Sequence, residues 1–477
     1  MRNLCLTIVV FAGLAHAQTW QPLQNQPTFS ASTALLLTDG TVMVQALTTQ
    51  GTGSRAWWRL TPDIQGSYIT GTWSQLASLP TGYGPLYYAS AVLPSGQVVI
   101  NGGEYNLGNS AVETNLGAIY NPLTNKWKKL AAPTGWSEIG DAQSVVLSNG
   151  DYMIGNCCTN VQAILDAATL TWTTTGAGKA DANSEEGWTL LPDGTVLTVD
   201  VSDVPNTERY TPSSGTWSTA GKTPVSLEGY SEMGPALLRP NGTVFATGAD
   251  GKTAIYTPGA GGAVGVWTTG PVFPVIGGKQ IDIADGPGAL LPNGDVLVAA
   301  SPGAYSSPSY FYEFDGTNLN AVPGTPNAPH NSSFYYRMLV LPTGQVLTTD
   351  GSSDVELFTG PGAANSAWAP VISSVPLKLT PGTTYKISGV GFNGMSQAAA
   401  YGDDAQSATN YPLVRITITA TGHVFYCRTS DHSSMAVASP AAVSTHFQVP
   451  AAIETGSGEI VVIANGIAST PVAITVE

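Results

Sequence analysis

The chain is poor in charge, and in positive charge above all. Asp, Glu, Lys and Arg make up 10% of its 477 residues, with 17 Lys and Arg against 32 Asp and Glu, for a net charge of −15. An acidic chain repels the phosphates of nucleic acids and of anionic lipid surfaces, so we expect neither nucleic acid nor a membrane as a partner. The shortage of Glu, Lys and Arg, beside 54 Gly and 33 Pro, disfavours long helices. The composition therefore predicts an all-β protein with many tight turns.

A long apolar run is missing as well. The apolar stretch from Leu4 to Leu14 is short of the ~20 residues that a membrane-spanning helix needs. Arg2 precedes this stretch, and Ala15-His16-Ala17 follows it as a small-x-small cleavage site. This order is typical of a signal peptide. We expect residues 1–17 to be removed and the mature protein to be secreted or periplasmic, and monomeric.

Cysteine is scarce. Once Cys5 leaves with the signal peptide, Cys157, Cys158 and Cys427 remain, an odd number that leaves at least one thiol unpaired. Cys157 and Cys158 are adjacent and can close only a small ring. The sequence leaves four states open for this pair: buried thiols, a vicinal disulfide, one bridge to Cys427, or a soft-metal site.

A hairpin signature is what the chain has in abundance. An apolar run, a Pro or polar residue, x-Gly and a second apolar run recur seven times, as in LLLTDGTVMV from Leu35 and ALLPNGDVLV from Ala289. Asp-Gly and Asn-Gly between apolar runs favour a tight hairpin because these residues accept positive φ. The turn glycines, 44 to 56 residues apart, are Gly40, Gly96, Gly150, Gly194, Gly242, Gly294 and Gly344.

A second motif follows the hairpins: an aromatic strand, a turn and a strand that holds Trp. The sixth repeat has Leu319 where the others have Trp. Four strands and roughly 50 residues per repeat are typical of a kelch-type propeller blade. We therefore predict a seven-bladed propeller over residues 18–366, in which the segment from Thr19 to Leu23 completes the last blade and hides its edge. The recurring tryptophans of the repeats are interpreted as wedges between blades: Trp73, Trp127, Trp172, Trp217 and Trp267.

The sequence pattern changes after the seventh repeat. Segments such as KLTPGTTYKISGVGF and RITITATGHVFYCRT alternate apolar and polar residues, with Gly and Pro between them. This pattern predicts an immunoglobulin-like β-sandwich over residues 367–477.

Three segments of this C-terminal part carry a resemblance to a known family. They are Tyr401-Gly402-Asp403-Asp404-Ala405-Gln406 with Asn410-Tyr411-Pro412, the run from Arg428 to Met435, and His446-Phe447-Gln448-Val449-Pro450. With the signal peptide and the seven repeats, the chain resembles the galactose oxidase and glyoxal oxidase family. The resemblance implies a copper ion at the propeller hub, held by two tyrosines and two histidines, with one tyrosine cross-linked to a cysteine. It places His432 at the histidine of a C-terminal loop that enters the hub.

The innermost strands depart from that ligand set. Nine residues before the turn glycines the chain has neither histidine nor cysteine, and Phe334-Tyr335 replaces the Tyr-His pair of the last blade. A phenylalanine cannot bind a metal, so the copper-radical ligands are largely missing. The residues found in that column are Ala31, Tyr87, Asp141, Glu185, Met233, Asp285 and Tyr335.

Acidic and aromatic residues dominate this column and its surroundings. Clustered carboxylates repel each other unless they are protonated, solvated or bound to a cation. Their oxygens suit calcium better than copper, and with aromatic rings they suit a carbohydrate or another small polyhydroxyl ligand. The candidate ligand-binding residues at the hub are Tyr87, Asp141, Glu185, Glu232, Asp285, Tyr335, Arg337 and His432.

Three functions stay open from the sequence. The favoured one is a binding protein that holds a polyhydroxyl ligand, with or without a cation, at the hub. The second is a copper-dependent alcohol or aldehyde oxidase with His432, Tyr335 and His330 as metal ligands. The third is a structural propeller that binds proteins through its loops and has a solvated acidic hub.

Overall fold

The computed structural model describes residues 18–402, 404 and 407–477, so the signal peptide predicted over residues 1–17 lies outside it. Strands joined by turns make up this part of the chain, and its helices are three short 3-10 turns: Ala260–Gly262, Ser333–Tyr335 and Ser366–Trp368. No helix among the described residues has the length and apolarity to cross a bilayer. The all-β fold predicted from the composition is confirmed.

Seven antiparallel sheets follow one another along the chain, and each has four strands from the repeats. Blade 1 is Ser30–Leu36, Val42–Leu47, Gly53–Thr61 and Thr72–Gln75. Blade 2 is Ala89–Val92, Val98–Asn101, Gly117–Asn121 and Lys126–Leu130. Blade 3 is Ser144–Val146, Tyr152–Gly155, Gln162–Leu165 and Trp172–Thr175. Blade 4 is Thr189–Leu190, Val196–Val199, Asn206–Thr211 and Thr216–Lys222.

The other three blades follow the same order. Blade 5 is Met233–Leu238, Val244–Gly248, Thr253–Thr257 and Val266–Thr269. Blade 6 is Gly288–Leu290, Val296–Ala300, Tyr310–Phe314 and Leu319–Val322. Blade 7 is Arg337–Val340, Val346–Thr349, Glu356–Thr359 and Thr19–Pro22. First strands of neighbouring blades contact each other around a central hub, which confirms the seven-bladed arrangement. Two small two-stranded sheets lie outside the blade sheets: Pro85–Leu86 with Tyr105–Asn106, and Val275–Ile276 with Lys279–Gln280.

The N-terminal strand closes the ring. Thr19–Pro22 pairs antiparallel with Glu356–Thr359, and Trp20 lies opposite Phe358. The Trp20 ring also contacts Phe311 of blade 6, with the two ring centroids 5.0 Å apart. The last blade therefore joins both ends of the propeller in one sheet.

The fourth-strand tryptophans connect each blade to the one before it. Trp127 of blade 2 lies opposite Tyr120, and its indole Nε1 donates a hydrogen bond of 3.0 Å to the Ala77 carbonyl behind blade 1. Trp172 of blade 3 donates in the same way to Ala131. These rings also pack in the core between blades. Their placement supports the interpretation of these tryptophans as wedges.

The C-terminal strands form one continuous nine-stranded sheet. Core residues from strands far apart in this sheet, such as Leu379 and Phe447, share one apolar cluster, because the sheet curls on itself. The immunoglobulin-like sandwich therefore stays a prediction. The strands are Val371–Ser374, Lys378–Leu379, Thr384–Val390, Leu413–Ile418, Val424–Ser430, Val443–Gln448, Gly456–Ala464, Ile467–Ala468 and Val472–Val476.

One segment of the C-terminal part leaves this sheet and enters the hub. Ala399–Ala400 pairs with Gly288–Leu290 as a fifth, innermost strand of blade 6. Glycine permits this close approach, since a Cβ at Gly187 would lie 2.3 Å from the Gly402 carbonyl oxygen. The rest of the C-terminal part covers the hairpin turns: Thr429 N donates to the Thr38 carbonyl. The pocket at the hub lies on the opposite face.

Candidate functional site

A pocket of about 290 Å³ lies at the hub, on the face where the first strand of each blade begins. Its described lining consists of six acidic and five aromatic residues, and no Lys, Arg or His is among them. The lining residues are Tyr87, Glu104, Tyr105, Asp141, Glu185, Glu232, Asp285, Tyr305, Phe334, Tyr401 and Asp404.

The propeller supplies these side chains from equivalent positions in successive blades. Asp141, Glu185 and Asp285 each stand just before the first strand of their blade, and Glu104 and Tyr305 follow the second strand of theirs. Because neighbouring strands are antiparallel, the start of the first strand and the end of the second lie at the same end of the blade. This is why residues far apart in sequence meet in one pocket.

Several of these residues have an unfavourable backbone conformation. Tyr87, Glu185, Asp285 and Tyr305 have φ of 53°, 57°, 56° and 56°. The left-handed region costs a non-glycine residue about 1 kcal/mol or more. The fold holds these side chains toward the hub at an energetic cost, which is typical of functional sites.

Three of the carboxylates crowd together. One oxygen of Glu185, one of Glu232 and one of Asp285 lie within 4.8 Å of one another. Glu232 is 7% exposed and its Oε1 accepts a hydrogen bond of 3.0 Å from the Tyr305 hydroxyl. Its Oε2 is buried and accepts no hydrogen bond from a described donor. Like charges at this spacing need a shared proton or a cation between them.

Burial shifts the proton equilibria in the pocket. It raises the pKa of Glu232 and of Glu104 above the ordinary glutamate value, and Asp404 adds to the effect on Glu104. Burial and the neighbouring Glu104 raise the pKa of Tyr105 to about 12. The pocket therefore favours a bound cation or a hydroxyl donor over an anion.

Arg337 lies beneath the pocket and does not line it. Its guanidinium donates hydrogen bonds of 2.7 and 2.9 Å to the carbonyls of Phe334 and Tyr336. Its Cζ is 3.9 Å from the centre of the Tyr401 ring, and the Tyr401 hydroxyl donates to the Phe334 carbonyl at 2.7 Å. The cation thus fixes the inserted C-terminal segment and the last blade in one arrangement.

The predicted residues divide between the pocket and other places. Tyr87, Asp141, Glu185, Glu232 and Asp285 line the pocket. That they bind a ligand stays a prediction.

Tyr335 and His330 do not join them. Tyr335 is 48% exposed and packs on Phe334, whose ring lines the pocket in its place. His330 is exposed, in the loop before blade 7.

His432 lies on the side of the propeller that the C-terminal sheet covers. Its backbone N–H donates to the Pro94 carbonyl in the hairpin turn of blade 2. The ring stacks on Tyr411, and Nδ1 lies 2.9 Å from the Thr445 hydroxyl. Burial lowers the pKa of His432 to about 3, so the ring is neutral. The segment that enters the hub is the one that carries Tyr401, and the expectation that the His432 loop does so is wrong.

A copper-radical ligand set does not fit this pocket. The described lining offers tyrosines but neither imidazole nor thiolate, whereas the family resemblance implies two histidines and a cysteine. The proposed copper ligands His432, Tyr335 and His330 are not brought together. Because the carboxylates of the lining are hard oxygen ligands, they fit calcium or magnesium instead.

Cys157 and Cys158 form a vicinal disulfide, and Cys427 is a buried free thiol. Cys157 is buried beside the loop that leads to Asp141, where its N–H donates to the Ile139 carbonyl. Of the four states that the sequence left open for this pair, the structure has the vicinal disulfide.

Sequence reasoning missed six residues of the described lining. Phe334 is the neighbour of the predicted Tyr335. Glu104, Tyr105 and Tyr305 follow second strands, whereas the prediction rests on the starts of first strands. Tyr401 and Asp404 stand in the C-terminal signature that carried the family resemblance. Because the end of the second strand faces the hub as the start of the first strand does, the repeat pattern contains the signal for Glu104, Tyr105 and Tyr305.

Comparison with known proteins gives the fold. No protein-family model matches the chain, and no curated protein matches it. A fungal alcohol oxidase of the AA5 family, solved in complex with copper, is similar in structure, with a TM-score of 0.55 and 15% sequence identity. The similarity covers 97% of this chain and 100% of that one.

Two lyase structures are similar over a smaller part. A streptogramin B lyase has a TM-score of 0.51 and 10% identity, covering 72% of this chain and 98% of that one. A virginiamycin B lyase from Staphylococcus aureus, solved with quinupristin, has a TM-score of 0.50 and 10% identity, covering 72% and 99%. At such identities the similarity concerns the fold. The expected likeness to galactose-oxidase-type proteins is confirmed at that level.

Proposed function

We propose that this protein binds a polyhydroxyl ligand, such as a carbohydrate, at the hub together with a divalent cation. The observation that carries the proposal is the trio Glu185, Glu232 and Asp285, whose oxygens lie within 4.8 Å of one another in an open pocket. A Ca²⁺ ion takes carboxylate and hydroxyl oxygens as ligands, so it would neutralise the trio and present free positions to sugar hydroxyls.

The aromatic residues supply the second half of the site. Tyr87, Tyr105, Tyr305 and Phe334 line the same pocket, and ring faces pack against the C–H faces of a sugar. The remaining carboxylates accept hydrogen bonds from hydroxyl groups. A cavity of about 290 Å³ lies near the lower end of the range for small-ligand sites.

The proposal includes the wider setting of the protein. We propose that it is a secreted or periplasmic monomer, a kelch-type propeller with an immunoglobulin-like C-terminal domain. On this proposal it is a relative of galactose oxidase that has no copper-radical chemistry.

Calorimetric titration of the mature protein tests the binding site. Ca²⁺ should bind after treatment with a chelator, and a panel of mono- and disaccharides should bind more tightly with Ca²⁺ present. Glu232→Gln should weaken hub Ca²⁺ binding roughly tenfold or more, since one charged ligand is lost. Glu459→Gln, which changes an exposed glutamate of the C-terminal sheet, is the matched control and should bind as the wild type does.

Two results would contradict the proposal. One is equal Ca²⁺ and sugar binding by wild type and Glu232→Gln. The other is peroxide release from alcohols or aldehydes by the copper-loaded protein, with loss of that activity in His432→Ala. The second result would support the copper oxidase in place of the binding protein.

A further inference from the structure

A second group of carboxylates lies away from the hub pocket, at blade 4. Asp181, Glu186 and Asp200 are at most 5% exposed, and one oxygen of each lies within 4.8 Å of the others. Lys179 Nζ lies 2.9 Å from Glu186 Oε1 and 2.7 Å from Glu208 Oε2. Three carboxylates, those of Glu186, Asp200 and Glu208, therefore lie within 4.0 Å of one ammonium group in the protein interior.

Asp200 is a carboxylate of this group without a hydrogen bond from a described residue, and its one ion pair, to Lys179, is long. Its side chain is 1% exposed, and neither Oδ accepts a hydrogen bond from a described residue. Lys179 Nζ is 3.9 Å from Oδ1, too far for a hydrogen bond. Burial raises the pKa of Asp200 to about 7. A buried carboxylate without a hydrogen bond is costly unless it holds a proton or a cation.

The other two carboxylates of the group, Asp181 and Glu186, can each accept a further interaction at their oxygens. Asp181 accepts backbone N–H groups from Ala182 and Ser202, and Glu186 Oε2 accepts the Thr198 hydroxyl. Each carboxylate oxygen can accept more than one interaction. These oxygens are therefore oriented but not saturated.

The spacing and the chemistry of this group suit a hard divalent cation. Ca²⁺ binds oxygen at about 2.3–2.6 Å, so oxygens on opposite sides of one ion lie up to about 5 Å apart. The three oxygens fall within that limit. The group contains no histidine or cysteine, which disfavours soft metals.

We propose that Asp181, Glu186 and Asp200 form a structural Ca²⁺ site at blade 4, distinct from the hub. Beside the site, Lys179 forms one ion pair with Glu208 and a second ion pair with Glu186. The site does not depend on the proposed hub ligand.

The proposed Ca²⁺ site lies on the same loop as a residue of the hub pocket. Glu186 directly follows Glu185, which lines the pocket. Asn183, in the same loop, is buried and donates to the carbonyls of Asn156, Thr159 and Val161 of the preceding blade. An ion at Glu186 would fix the other end of this loop and thereby hold the strained backbone of Glu185.

Asp200→Asn separates the cation from the alternative of a protonated aspartate. In chelator-treated protein this variant should melt at the wild-type temperature or above it, because a buried charge without hydrogen bonds is removed. With Ca²⁺ added, the wild type should gain several degrees, and the variant should lose the part of that gain that belongs to blade 4. Asp203→Asn, an exposed neighbour in the chain, is the control and should respond as the wild type does.

To exclude a contribution from Ca²⁺ bound at the hub, the comparison is repeated in the Glu232→Gln variant. In this variant Ca²⁺ should still raise the melting temperature, and the rise should disappear in the Glu232→Gln/Asp200→Asn double variant. Terbium gives a second readout, since Trp217 lies 5.4 Å from Lys179 Nζ and the described hub lining has no tryptophan. Terbium emission excited through tryptophan should fall roughly tenfold in Asp200→Asn.

Two outcomes overturn the proposal. In the first, Glu232→Gln shows no response to Ca²⁺ and no terbium emission, which means that Lys179 and protonation alone compensate the group. In the second, Asp200→Asn keeps the full response, which places the ion elsewhere. An equal Ca²⁺ response in the wild type and in Glu232→Gln that is lost in Asp200→Asn would instead count against the proposed hub function alone.

Discussion

Several carboxyl groups lie inside the protein, where charge is costly. Burial raises the pKa of Asp282 to about 7, and Asp250 adds to the effect although the Gly303 N–H opposes it. Asp282 is 3% exposed and its Oδ1 has no hydrogen-bond partner among the described residues. Such groups take up protons on folding, so they link stability to pH.

Asp282→Asn should flatten the pH dependence of stability. The folded pKa of Asp282, about 7, lies above its ordinary value of 3.8, so the folded state binds more protons between these values. Stability therefore falls as pH rises across that window, by roughly 2–4 kcal/mol for this one group. Scanning calorimetry from acid to neutral pH measures the slope, and the Asn variant should lose that share of it. A slope unchanged in Asp282→Asn but changed in the exposed control Glu459→Gln would contradict the assignment.

At the same scale, the sequence allowed only part of the site to be predicted. Asp141, Glu185 and Asp285 share one place in the repeat, and a regular repeat converts sequence spacing into spatial position. Tyr401 and Asp404 have no such register. They reach the pocket through a segment whose course depends on packing between distant parts of the chain. The spacing of residues in the sequence does not predict such packing.

The blades are stabilised by the bonds between them as well as within them. Trp127 packs against Tyr120 of its own blade and Trp57 of blade 1, with ring centroids 5.0 and 5.6 Å apart. The sixth blade has Leu319 instead, opposite Phe314. A blade can thus form without the indole, and the contribution of the indole can be measured.

Trp127→Leu should destabilise the propeller by about 2–4 kcal/mol, because it removes buried ring area and the bond to the Ala77 carbonyl. Chemical denaturation followed by tryptophan fluorescence gives the free energy of unfolding. Lys128→Ala, on the exposed side of the same strand, should change it little. Equal free energies of unfolding for Trp127→Leu and the wild type would contradict the interpretation of Trp127 as a wedge between blades.

Strand elements were the most predictable level of this molecule. Alternation and x-Gly turns mark hairpins directly, and Thr19–Pro22 was found because blade 7 was short of one strand. How the C-terminal strands pair was not predictable in the same way. Period-two patterning says that a strand has one buried face, but it does not say whether the partner strands form one curled sheet or two.

For the whole molecule, the C-terminal part and the propeller share one interior. Tyr401 contacts Arg337 of blade 7, and Gly402 passes against Gly187 next to blade 4. The pocket is therefore a joint product of both parts of the chain, and the apolar cluster of blades 1 and 2 also includes Tyr411 and Leu413 of the C-terminal part.

Gly187→Ala should disturb the contact between Gly402 and Gly187 without unfolding the blades. The new Cβ would lie 2.3 Å from the Gly402 carbonyl oxygen, so the inserted segment must shift, at a cost of about 1–3 kcal/mol. We expect ligand affinity at the hub to fall and proteolysis near residues 395–411 to increase. Gly108→Ala has open space around it and serves as the control. Unchanged proteolysis and affinity in Gly187→Ala would mean that the segment tolerates the shift.

The threading of Ala399–Ala400 and Tyr401 into the hub also bears on biosynthesis. The first strand of the chain closes the ring, and a segment made long afterwards fills its centre. A nascent propeller that has all its blades still lacks Tyr401 and Asp404, two residues of the pocket lining. A chain that terminates before residue 401 could not complete the pocket. Ligand binding at the hub would therefore report that translation passed residue 404 and that both ends of the chain had folded.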